Sequence, residues 1–110
     1  MFGFNIRSPE RDRETDRARL KRILTTLLAV KDELQMEKYG LNQRFTETSA
    51  DAALTLDAMA GVIHPGSYED RLENLTSVIK AYEKRITFLD SQLDFVEAVL
   101  VRVSSYHSDL

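Results

Sequence analysis

One stretch constrains the fold more than any other. From Leu72, alternating steps of three and four residues reach Leu75, Ile79, Tyr82, Ile86, Leu89, Leu93, Val96, Leu100 and Val103. All ten positions are apolar, an unbroken heptad seam that keeps one stripe of a helix on a partner helix. Ser67 with Asp70 three residues on forms a capping box, so the spacing predicts a helix over about 68–106. At ~1.5 Å per residue it would be roughly 58 Å long, beyond an ordinary globular helix. Residues 107–110 are expected to fray.

The rest of the chain reads as the partner. Residues 1–8 form a short lead-in with Phe2, Phe4 and Ile6. Ser8 is an N-cap candidate, Pro9 suits the first helical position, and Glu10 and Asp12 suit the positive end of the helix dipole. A first helix is therefore expected over about 9–63. Its apolar positions are Leu20, Ile23, Leu27, Val30 and Leu34, then Leu41, Phe45, Ala52, Leu56 and Ile63. After Leu34 the steps become seven and four, an eleven-residue rhythm that straightens a supercoil. Gly40 is the one candidate interruption: either a C′ residue ending a helix at Tyr39, or a glycine inside a continuous helix at a cost near 1 kcal/mol.

His64-Pro65-Gly66-Ser67 is the strong break, with Pro65 pushing His64 out of helical geometry and Gly66 allowing a positive φ. With the turn at 64–67, facing residue numbers sum to about 131, setting Ser49 opposite Tyr82 and Ala52 opposite Ile79. In that register Lys38 falls between Asp90 and Glu97, and Lys31 near Glu97, opposite charges that fix orientation. A break at Gly40 would leave the seam from Leu93 to Val103 bare. The expected fold is thus all-α: one domain of 110 residues, a long antiparallel helical hairpin forming a four-helix bundle as a dimer. A monomeric three-helix bundle is the alternative.

The dimer follows from surplus apolar surface. On the last helix Ala81, Phe88, Phe95 and Val99 share a face beside the seam, which Tyr106 extends; on the first, Leu24 and Leu28 lie outside it. Large aromatics seven residues apart on a helix are seldom left in water. Leu24, Leu28, Phe88, Phe95, Val99 and Tyr106 are the candidate self-association residues.

Chemistry is harder to find. With no cysteine, thiolate catalysis, thiolate metal sites and disulfides are excluded. No apolar run approaches the ~18 residues of a membrane span, and a cytoplasmic location is expected. His64 and His107 lack the Glu-x-x-His or His-x-x-x-His spacing of a helical metal site, and neither stands in mid-helix as a phosphorelay histidine must. The acidic ridges Asp90–Asp94–Glu97 and Glu47–Asp51 read as solvated faces. No Gly-rich phosphate loop or nucleophile motif is present. No catalytic, cofactor or metal residues are expected.

The function expected is a non-enzymatic interaction module: an adaptor, secretion-chaperone-like protein or small regulatory subunit that self-associates and offers helical faces to an unidentified protein partner. The alternative is a nucleic-acid or anionic-membrane binder through Arg11, Arg13, Arg17, Arg19, Lys21 and Arg22, with Phe2 and Phe4 entering lipid. It is the weaker reading. From Arg7 to Arg22 four acids offset seven bases, and the whole chain carries −3.

Overall fold

Ser8 opens the first helix as its sequence requires. Its hydroxyl accepts the amide hydrogen of Arg11 at 3.1 Å, and its carbonyl accepts that of Asp12 at 3.1 Å. The structure, a computed structural model, describes residues 8–110, so the expectations for Phe2, Phe4, Ile6 and Arg7 lie outside the described residues. Helix α1 spans Pro9–Met59 and α2 spans Gly66–Ser108, with no strand among the described residues.

Gly40 sits inside α1, which removes the break that the three-helix alternative needs. Its φ is not positive. A Cβ built there would meet nothing nearer than the Arg44 guanidinium at 3.9 Å.

The turn differs from its expected place. α1 stops at Met59, four residues before Ile63, and the bonds Ala60 N to Asp57 O (3.3 Å) and Val62 N to Met59 O (3.1 Å) tighten its last turn. Ile63 is 89% exposed instead of lying on the seam. α2 starts earlier than expected, at Gly66, because the Pro65 carbonyl accepts the first helical bond from Glu69 at 2.9 Å. Ser67 is then already inside the first turn, so the capping box is not the start signal. Gly66 does not use a positive φ.

The described chain divides into two units. The turn unit, Leu34–Gln92, holds the end of α1, the connection and the start of α2. Its helices run antiparallel, tied by Lys38–Asp90, Arg85–Glu37 and Arg71–Asp51. These pairs sum to 128 on one flank and 122 on the other, centred near 125 and not 131. The earlier end of α1 accounts for the shift: the turn is centred about three residues nearer the N-terminus. Tyr82 and Ile79 keep their seam positions but face residues about six earlier on α1. Leu89 is fully buried and Leu41 nearly so.

The end unit joins α1 as far as Glu33 with Leu93–Leu110. It too is antiparallel. Lys31 pairs with Glu97, and the Arg17 guanidinium donates to the Leu110 carbonyl at 2.6 Å. Val96 and Leu100 are its buried centre.

Every one of the ten expected α2 positions is buried or half-buried; the helix runs through His107 to Ser108, two residues past its expected end, and Asp109 and Leu110 lie beyond it. The α1 seam is different from the expected one. Its inward positions are Leu20, Leu24, Leu27, Lys31, Leu34, Lys38, Leu41, Phe45, Thr48, Ala52, Thr55 and Met59. That is a strict four–three heptad in place of the eleven-residue rhythm. Ile23, Val30 and Leu56 are exposed. Thr55, 5% exposed, keeps its hydroxyl satisfied on the Asp51 carbonyl at 2.8 Å.

Two substitutions check this packing by chemical denaturation. Gly40→Ala removes a backbone-entropy cost in an open site and raises stability by up to ~1 kcal/mol. Leu89→Ala opens a cavity and lowers stability by about 2–5 kcal/mol.

Candidate functional site

With the seam lettered a and d, the flanks of each helix are e and g, and in an antiparallel pair like flanks meet. In the turn unit the g flank carries two ion pairs, with Val78 exposed between their arginines. Arg85 donates to Glu37 through Nε at 2.7 Å and through a terminal nitrogen at 3.1 Å, and Arg71 grips both carboxylate oxygens of Asp51 at 2.9 and 2.8 Å. The Arg85 contact is two-pronged, the better sort of surface pair, whereas Arg71 reaches both Asp51 oxygens through one terminal nitrogen. The hydrogen bond from Arg85, opposed by slight desolvation, holds the Glu37 carboxyl below the usual carboxylate range, and the same bond raises Arg85.

In the end unit the same lettering meets apolar residues. Beyond Asp16, its g positions are Ile23 and Val30 on α1 and Val99 and Tyr106 on α2, with Phe95 at the neighbouring c position. Phe95 is 69% and Tyr106 63% exposed; Ile23 and Val30 are exposed, and Val99 is half-buried. The e flank carries Leu28 and the b position Val101, both exposed.

The six expected self-association residues therefore do not form one face. Leu24 belongs to the helix–helix seam, since the seam runs through positions 24 and 31 and not 23 and 30. Leu28 lies on the e flank, across the seam from Phe95, Val99 and Tyr106. Phe88, 61% exposed, belongs to the turn unit. Ile23 and Val30 are the face residues that apolar counting put in the core. A seam lysine gives the signal: Lys31 and Lys38 are half-buried, their stems inside and their ammonium groups on Glu97 and Asp90.

Arg11, Arg13, Arg17, Arg19, Lys21 and Arg22 are all exposed, but successive ~100° steps send them around the helix instead of onto one side. Arg17 is engaged with Leu110, and Arg19 stands 3.6 Å from Asp16. Of the acidic ridges, Asp90, Glu97 and Asp51 are ion-paired. His64 is exposed in the connection and His107 half-buried. Among the described residues no cluster of three or more His, Asp or Glu could hold a metal ion, and no helix is long and apolar enough to cross a membrane.

Comparison with protein-family models, curated proteins and solved structures finds no match.

The Glu37–Arg85 pair is checked by a carboxyl NMR titration. Glu37 titrates below an ordinary glutamate, and Arg85→Ala returns it to the ordinary range. Because its folded pKa lies below the unfolded value, the pair stabilises the fold above the unfolded value and loses that contribution as pH falls through the folded one.

Proposed function

We propose that this protein is a non-enzymatic helical interaction module that self-associates, two hairpins packing into a four-helix bundle, and presents helical faces to a protein partner. The observation that carries the reading is the change along the g flank. In the turn unit it carries the ion pairs Arg85–Glu37 and Arg71–Asp51, with Val78 exposed between them, while in the end unit Ile23, Val30, Val99 and Tyr106 stand there with Phe95 beside them. A run of exposed branched and aromatic side chains on a regular helix pair is the mark of a surface that another helix covers.

The incomplete seam supports the same reading. Among the described residues only Leu41, Thr55, Leu89, Val96 and Leu100 are buried, and of these only Leu89 completely; the other seam residues are half-buried. One helix can shield only one stripe of its neighbour, and a second hairpin shields the remainder. The concavities among the described residues are open grooves along the helices rather than enclosed cavities of the kind small ligands occupy.

Light scattering on a size-exclusion column tests the reading. At tens of micromolar the protein elutes with twice the 12.6 kDa chain mass. Phe95→Glu with Tyr106→Glu returns it to the chain mass and lowers its melting temperature. A wild-type mass of 12.6 kDa at that concentration would overturn self-association.

A further inference from the structure

On α1 the exposed side of the end unit carries its own heptad, Arg19, Ile23, Thr26, Val30 and Glu33, in steps of four, three, four and three. Read in either direction the stripe has the same form: a charge, a branched apolar residue, a small residue, a branched apolar residue, a charge. The two charges are opposite. A helix with this pattern is complementary to its own antiparallel copy. With Thr26 at the centre, Arg19 faces Glu33 of the second copy, and Ile23 faces Val30.

α2 carries an independent stripe on the same side: Phe95, Val99, Arg102 and Tyr106, in steps of four, three and four. Reversed on itself it pairs its two aromatic ends and sets Val99 against the aliphatic stem of Arg102. Phe95 then faces the Tyr106 ring of the second copy, and the centre falls between Val99 and Arg102. The two centres fall at nearly the same level. The pairs Lys31–Glu97 and Arg17–Leu110 set the register of the end unit, with sums of 128 and 127. Lys31–Glu97 has the same offset as Lys38–Asp90, so the helices are level at sums between about 125 and 128, which sets Thr26 level with residues 99–102 of α2, within about two residues, or ~3 Å, of the α2 centre. A single axis therefore serves both helices.

We infer that a second copy of this chain seats on the g flank of the end unit, related by a two-fold axis that crosses α1 at Thr26, so that α1 packs antiparallel on its own copy. The inference rests on the self-association reading and specifies its face and symmetry. Isologous pairing of this kind is the commonest form of homodimer. Thr26 suits the axis. Its side chain is small, and its hydroxyl already donates to the Arg22 carbonyl at 3.0 Å, so covering it orphans no polar group. Arg19, Ile23, Thr26 and Leu27 line a shallow groove that can take the branched side chains of the copy. Among the described residues Arg19 makes an exposed pair with Asp16, weak enough to exchange for Glu33 of the copy. Arg102, near the axis, can carry its guanidinium to the rim on its aliphatic stem.

A single cysteine tests the axis, because the chain has none of its own. A residue on a two-fold axis meets itself, within reach of the ~4.4–6.8 Å Cα separation a disulfide needs. Full-length Thr26→Cys is oxidised mildly and read by non-reducing electrophoresis, beside Leu28→Cys on the other flank, with the mass of each reduced variant measured. Thr26→Cys is expected to give covalent dimer at least about tenfold faster than Leu28→Cys. Arg19→Glu and Glu33→Arg are each expected to raise the dimer dissociation constant about tenfold, and their combination to restore it. Three results would overturn the inference. If the mass is dimeric but Leu28→Cys crosslinks as fast or faster, self-association stands and the face is wrong. If the combined charge reversal fails to restore the dimer, the Arg19–Glu33 register is wrong. If the wild-type mass is that of one chain, the inference and the self-association reading fall together.

Discussion

Lysine in a hydrophobic seam, together with the arginine pairs on its flank, is the constraint on which the pairing of the two helices depends. Lys31 and Lys38 occupy layers where α2 offers leucine and valine, and each sends its ammonium group to an acid on the α2 flank, Glu97 and Asp90. Such contacts contribute little net stability at an exposed rim. Their value is selective. A one-heptad slide in one direction would set Lys31 opposite Ser104; in the other, Lys31 and Lys38 would still meet Asp90 and Glu83, and the pairs Arg85–Glu37 and Arg71–Asp51 are what that slide would break. Thr48 and Thr55 also dilute the seam of α1, so its hydrophobic content is lower than that of α2. The pair is well specified and thinly cemented.

That combination explains where sequence reasoning succeeded and where it did not. The α2 seam was fully legible because every position is apolar, and all ten are covered in the structure. The Ser8–Pro9 start and the continuity through Gly40 were legible from capping chemistry and from the length of seam needing cover. The α1 seam was half legible. Counting only apolar residues selects Ile23 and Val30, one step away from Leu24 and Lys31, because a lysine stem is invisible to such a count. The helix ends near the turn were missed for a backbone reason. Pro65 has a carbonyl to give α2 its first bond, so the helix begins before the Ser67 signal. On α1, Ala60 and Val62 tighten into short-range bonds while the apolar pattern still runs on to Ile63.

The same shift by one position reassigns the candidate face. Ile23 and Val30 leave the core and join Phe95, Val99 and Tyr106; Leu24 leaves the face and joins the core. A set of residues scattered over two flanks becomes one stripe beside the seam, in the unit whose flank has no two-pronged ion pairs to cover it. The surface proposed for self-association is this stripe, whereas the Arg-rich start of α1 is spread around its helix and interrupted by acids.

The pairing of the helices rests on the register that the lysine and arginine contacts set together. Cysteines at Lys38 and Asp90, in an otherwise cysteine-free chain, measure it directly by intrachain disulfide formation under mild oxidation. The account predicts rapid closure within one chain, with helicity retained. Failure of that pair to close, with cysteines at Arg17 and Tyr68 closing instead, would mean that α1 folds back on itself and that the pairing described here is wrong.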